Sequence, residues 1–178
     1  AKQQNIPIRI GVNAGSLEKD LKEKDIPLSE KMVESAMKHI QILEDLDFDK
    51  IKISLKSSDV LTTIEAYRLM AQKVDYPLHL GVTEAGTLKN GLIKSSVGLG
   101  TLLAEGIGDT IRVSLTENPI EEVYAGFEIL KSLKLRQRGV NFVSCPTCGR
   151  TQINLIELAK KVEDRFKNLN ENITIATM

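Results

Sequence analysis

Ile51-Lys52-Ile53-Ser54-Leu55-Lys56 alternates apolar and polar side chains with a period of two and spends β-branched residues on the apolar positions. That is the pattern of a strand with one face buried. Ile8-Arg9-Ile10-Gly11-Val12, Leu78-His79-Leu80-Gly81-Val82 and Thr110-Ile111-Arg112-Val113-Ser114-Leu115 read the same way. One parity stays polar throughout: Arg9, Gly11 and Asn13; Lys52, Ser54 and Lys56; Arg112 and Ser114. A strand covered on both faces of a doubly wound sheet reads as an almost unbroken apolar run, so that architecture is disfavoured. Polar side chains at period two suit the inside and upper rim of a (β/α)8 barrel.

Helical periodicity fills the gaps between these strands. Val33/Ala36/Met37/Ile40 follows Ser29, and Val60/Ile64/Tyr67/Ala71/Val74 follows Ser57-Ser58-Asp59. A third helix is expected from about Leu92 to Glu105, with Gly98 and Gly100 allowing close approach to a sheet. The fourth has the clearest start: Asn118 as cap, Pro119 at the first helical position, and Glu121 and Glu122 in the first turn. Four β-α units do not close a barrel, and residues 1–138 are expected to form half of a (β/α)8 TIM barrel.

After Arg138 the character changes. Gly139–Ser144 reads as a fifth strand, Cys145-Pro146-Thr147-Cys148-Gly149 as a tight turn, Leu155/Leu158/Ala159/Val162/Phe166 as a helix face, and Ile173–Thr177 as a strand. Residues 139–178 are thus the start of a small α+β domain. Its last strand stops with the chain and leaves the domain truncated, with material expected beyond both ends.

The 178 residues carry 24 basic and 24 acidic side chains, a formal net charge of zero and 4% aromatic residues. No electrostatic footprint for nucleic acid or an anionic membrane is present, and few rings are available to stack on bases. No apolar run reaches the roughly 18 residues a bilayer span needs, and Ala1-Lys2-Gln3-Gln4-Asn5 is not a signal peptide. A cytoplasmic location is expected. Two cysteines in one C-x-x-C argue for metal or redox chemistry over a disulfide scaffold.

Two constellations can carry chemistry. Cys145 and Cys148 are spaced to reach one metal from a strand-to-helix turn, where backbone N–H groups lower thiol pKa. Half of a zinc or iron–sulfur site, a thioredoxin-like redox pair and two buried structural thiols all fit that spacing. Two thiolates are an incomplete ligand set, and neither His39 nor His79 lies near in sequence. The second constellation is the strand-end set. Arg9, Lys56 and Arg112, with Asn13 and Ser114, suit a doubly charged phosphate ligand, and Asn13-Ala14-Gly15-Ser16 can add backbone N–H groups. Glu84, just past the third strand, is placed on the same rim as a general acid or hydrogen-bond acceptor, or as a neutralising partner of Lys56 or Arg112. His79 reads as a satisfied barrel residue and His39 as a helix-surface residue.

Pro7 to Leu17, His79 to Gly86, Glu105 to Leu115 and Cys145-Pro146-Thr147-Cys148 resemble the bacterial 4-hydroxy-3-methylbut-2-enyl diphosphate synthases across essentially the whole chain. That family opens 2-C-methyl-D-erythritol 2,4-cyclodiphosphate reductively, with dehydroxylation, in the non-mevalonate route to isoprenoids. It uses a [4Fe–4S] cluster and electrons from flavodoxin or ferredoxin. The resemblance implies a substrate barrel and an iron–sulfur domain in a homodimer, the cluster of one subunit capping the partner's barrel. Arg9, Asn13, Lys56, Arg112 and Ser114 would hold the diphosphate, Glu84 would face the reacting hydroxyl end, and Cys145 and Cys148 would bind iron. A third cysteine and a glutamate ligand are expected beyond Met178, so this chain by itself is expected to be inactive and to hold no stable cluster. The competing reading is a non-catalytic metal-binding or thiol-redox module with the barrel half as scaffold.

Overall fold

Strands β1 (Ile8–Asn13) and β2 (Ile51–Lys56) pair in parallel along their whole length, with Ile8 opposite Ile51 and Asn13 opposite Lys56. The computed structural model describes all residues from Ala1 to Met178. They divide into two compact units, Ala1–Ile129 and Leu130–Met178.

In the first unit, a 3-10 turn (Ala14–Ser16), a short α1 (Lys19–Lys22) and α2 (Leu28–Glu44) lead from β1 to β2, and α3 (Val60–Ala71) leads to β3 (His79–Leu80). Helix α4 (Leu88–Ala104), β4 (Thr110–Ile111) and α5 (Pro119–Ser132), whose last three residues count with the second unit, complete the series. β2 meets β3 through a parallel bridge between Ile53 and Leu78, and β3 pairs in parallel with β4, His79 opposite Thr110. The strands therefore follow one another in sequence order, each reached through a crossover helix. The β1–β2 and β3–β4 pairs are joined by that one bridge and do not close into a barrel.

One face of the sheet carries the alternate apolar side chains. Ile10, Val12, Ile53, Leu55, Leu80, Val82 and Val113 are buried there, as are Met32, Ala36 and Ile40 of α2, Ile64, Tyr67 and Met70 of α3, and Leu99 and Leu102 of α4. Each fully buried large aliphatic side chain contributes about 1.5–3 kcal/mol, which fixes the strand register by fixing which parity faces the helices. Asp59 caps α3 by accepting from Thr62 N–H at 2.7 Å, and Asn118 caps α5 by accepting from Ile120 N–H at 3.0 Å.

Several sequence expectations need correction. β3 and β4 are shorter than the apolar runs that announce them, because backbone bonds beyond Leu80 and Ile111 continue only singly, Thr83 N–H to Ser57 O and Arg112 N–H to Leu80 O. Helix α2 begins at Leu28, so Ser29 lies inside it, buried, and caps nothing. Helix α4 begins a turn earlier than expected, at Leu88. Gly98 is a contact position, since a Cβ there would stand 2.8 Å from Val82 Cγ2, but one at Gly100 would meet nothing.

The second unit contains β5 (Asn141–Ser144), α6 (Leu155–Phe166) and β6 (Thr174–Thr177). β5 and β6 pair in parallel from Asn141–Thr174 to Ser144–Thr177, with α6 as the crossover, and Asn154 caps α6 by accepting from Glu157 N–H at 3.2 Å.

Candidate functional site

The face of the sheet opposite the helices is polar, and its register sets the side chains in rows. Asn13 lies opposite Lys56. The Ile53–Leu78 bridge and the Thr83–Ser57 hydrogen bond continue the count, setting Lys56 beside Gly81. The β3–β4 pairing then sets Gly81 beside Arg112, whose carbonyl oxygen a Cβ at Gly81 would approach to 3.1 Å. One row thus reads Asn13, Lys56, Gly81, Arg112. Gly11, Ser54, His79 and Thr110 form the row below, and Arg9 and Lys52 lie below that. Ser114 falls beside Thr83 one row above, by the same count.

The cations of this face act on one another. Burial, then the charges of Arg112 and Arg9, hold the Lys56 ammonium below its ordinary pKa. His79 is depressed further, to about 4, by burial and by Arg9, Lys52, Lys56 and Arg112. Its imidazole is therefore neutral at pH 7. The Nδ1 atom lies 2.7 Å from Thr110 Oγ1, while the buried Nε2 has no partner. The sequence reading of His79 as a satisfied residue is corrected on that point. None of Arg9, Lys52, Lys56 and Arg112 forms an ion pair, although the chain as a whole is neutral. Four uncompensated cations on one face stabilise an anion placed over it.

Asn13 spends its Oδ1 on Gly15 N–H at 3.1 Å, so that N–H is already taken and the Asn13 amide NH2 is the remaining donor. Glu84 is exposed and has a left-handed backbone, φ 52, in the turn after β3. It forms no ion pair with Lys56 or Arg112, so the neutralising role fails. His39 lies exposed on α2 with Nδ1 2.7 Å from Ser35 O.

Sequence reasoning set Lys52 on the polar parity with Lys56 but left it out of the candidate site, although its charge adds to this cationic face. It also read Tyr67 only as part of an apolar helix stripe. Tyr67 is fully buried, accepts from Leu55 N–H at 3.0 Å and donates to the His79 carbonyl; burial pushes its pKa up to about 12. Its spacing gives its burial, but nothing in the sequence marks its hydroxyl as a bridge between strands.

In the second unit both cysteines are exposed and free, which removes the reading as buried structural thiols. Cys145 continues from β5, its N–H donating to Thr177 O at 3.0 Å. Hydrogen bonds from the Arg150 backbone and the Thr151 side chain lower the Cys148 thiol pKa, and Cys148 N–H donates to Thr151 Oγ1 at 3.1 Å. Thiols served by backbone N–H donors suit an iron–sulfur group. No group of three or more histidine, cysteine, aspartate or glutamate side chains is placed to hold a metal ion, so the two thiols are an incomplete ligand set for such a group. No helix is long and apolar enough to cross a membrane.

The GcpE TIM-barrel domain model matches residues 1–127, and the GcpE protein C-terminal domain model matches residues 141–178. The chain belongs to the GcpE family. Among its relatives, proteins from Geobacter sulfurreducens and Clostridium perfringens are 63% and 60% identical to it. One from Thermodesulfovibrio yellowstonii is 56% identical. All three are named 4-hydroxy-3-methylbut-2-en-1-yl diphosphate synthase (flavodoxin). The alignments cover 99–100% of this GcpE chain and 51% of each relative, so the chain spans about half their length.

Proposed function

We propose that this GcpE chain supplies half of the (β/α)8 substrate barrel, residues 1–138, and the start of the iron–sulfur domain, residues 139–178, of a 4-hydroxy-3-methylbut-2-enyl diphosphate synthase. The observation that carries the reading is the cationic face. Lys56 and Arg112 flank Gly81 in one row, with Arg9 near enough to depress Lys56, and no carboxylate pairs with any of them. Two linked phosphoryl groups are the ligand that three converging cations, the Asn13 amide and the Ser114 hydroxyl accommodate best. The bound anion returns the Lys56 pKa toward its ordinary value, because opposite charge replaces like charge as its nearest neighbour.

The substrate is 2-C-methyl-D-erythritol 2,4-cyclodiphosphate, anchored by the row while Glu84, at the top of β3, faces the carbon end of the ring. Anchoring at the phosphoryl groups holds the reacting end in one orientation and so removes much of the entropy cost of reaching the transition state. Cys145 and Cys148 would hold two corners of a [4Fe–4S] group, which supplies electrons and a Lewis-acidic iron when bound. Flavodoxin, which appears in the relatives' names, is the proposed electron donor, and a homodimer in the cytoplasm the proposed form.

Turnover is tested on a polypeptide of the relatives' full length carrying this sequence. Lys56→Met and Arg112→Met should each raise KM for the cyclodiphosphate about ten-fold or more, the loss of one charge-assisted contact. Cys145→Ser should abolish the visible absorption of the cluster. Unchanged KM in both cation variants refutes the diphosphate site, and an unchanged spectrum refutes the ligand role.

A further inference from the structure

Between β2 and β3 the parallel ladder keeps its register on both sides of one altered rung. Below it, Ile53 N–H donates to Pro77 O at 2.9 Å and Ile53 bridges Leu78; above it, Thr83 N–H donates to Ser57 O at 3.1 Å. Those bonds set Leu55 opposite Leu80, and a regular parallel ladder sends the Leu55 N–H to the His79 carbonyl. Here the Leu55 N–H donates instead to the Tyr67 hydroxyl at 3.0 Å, and the Tyr67 hydroxyl donates to the His79 carbonyl. Two hydrogen bonds in series stand where one belongs, so the strands are held apart at this level. Tyr67 reaches the seam from α3, the crossover helix between the two strands, and its side chain is fully buried. Its hydroxyl stays protonated at physiological pH and so can donate to the His79 carbonyl while accepting from the Leu55 N–H.

The row immediately above the wedge is Asn13, Lys56, Gly81, Arg112. Lys56 is on β2, one residue past Leu55, and Arg112 lies beyond β3, so any change in the β2–β3 spacing changes the distance between these two cations. We propose that Tyr67 is a positioning residue, whose hydroxyl wedges β2 from β3 and so sets the gap across which Lys56 and Arg112 grip two phosphoryl groups. The proposal rests on the reading of this face as a diphosphate site. It assigns the wedge a consequence that general stability does not share: a ligand spanning the gap needs the spacing, whereas a single phosphate held by one strand does not.

The test compares pyrophosphate and inorganic phosphate binding by calorimetry, for wild type and Tyr67→Phe, in a polypeptide of the relatives' full length. The expected result is a pyrophosphate affinity about ten-fold weaker in the variant, equivalent to about 1.4 kcal/mol, with phosphate affinity unchanged. Faster hydrogen exchange at the Leu55 amide should accompany it. An unchanged ratio of the two affinities, or an equal loss of both, overturns the positioning role while leaving the anion site standing. Wild-type protein that binds neither anion overturns the site reading and the proposal together. If Tyr67→Phe does not fold, the wild type decides by NMR. The Leu55 amide resonance should move with pyrophosphate and not with phosphate, and a resonance indifferent to both overturns the proposal.

Discussion

His79 is a built-in probe of the cationic face. Its pKa falls from 6.5 to about 4 through burial and the charges of Arg9, Lys52, Lys56 and Arg112. Taken whole, that gap is worth about 3.4 kcal/mol, at 1.36 kcal/mol per pKa interval. The ring is only part-buried, and solvent screening reduces the usable effect to about 1.5 kcal/mol. Above pH 6.5 the imidazole is neutral in folded and unfolded chains alike, so it gives stability no pH dependence. Between pH 6.5 and about 4 the unfolded chain takes up a proton that the folded chain refuses, and stability falls as pH is lowered; below about 4 the loss is complete. Urea unfolding of wild type and His79→Gln across pH 4–7.5 should therefore show wild type losing about 1.5 kcal/mol more than the variant over that window. The ring resonances, followed by NMR, should titrate well below 6.5 and move back toward it in Lys56→Met/Arg112→Met. A His79 that titrates normally, or one indifferent to removal of the two cations, would show that these charges do not converge.

Three further outcomes follow from local geometry. Gly108 has φ +115, and a Cβ there would stand 2.4 Å from Leu80 Cδ1, so Gly108→Ala should destabilise the protein by about 3 kcal/mol in a urea melt through strain and overpacking; a change below 1 kcal/mol removes the packing argument. Asp59→Ala removes the α3 cap and should cost about 1 kcal/mol, read as a lowered Tm, whereas Asp59→Asn should retain most of it. Cys148 should alkylate faster than Cys145 with iodoacetamide at pH 7, since its thiol pKa is lowered while both side chains are exposed. Equal rates by mass spectrometry contradict that assignment.

The alternation of Ile51 to Lys56 made the strand, its buried parity and the polar parity of the cationic face legible at once, because a period of two is imposed by the pleat itself. The caps at Asp59 and Asn118 were as direct, since each side-chain oxygen answers an unpaired helix N–H nearby, as the oxygen of Asn154 also does. The sequence reading anticipated the first two caps, but not Asn154. The lengths of β3 and β4 were not legible. Ladder length depends on which backbone groups find partners, and here a tyrosine from a neighbouring helix takes a rung. The orphaned Nε2 of His79 was hidden for the same reason: satisfaction of a polar atom is a property of the assembled neighbourhood. Asn13 shows an intermediate case, its type indicating a polar contact but its Oδ1 going to the local turn at Gly15.

The central claim is that Arg9, Lys56 and Arg112 act as one anion-binding face. Side-chain NMR of the lysine ammonium and arginine guanidinium groups during a pyrophosphate titration tests it most directly. The account requires the signals of Arg9, Lys56 and Arg112 to shift together along a single saturable curve, weakening as salt is raised. Separate curves, or signals that stay put while pyrophosphate reaches millimolar concentration, would contradict it.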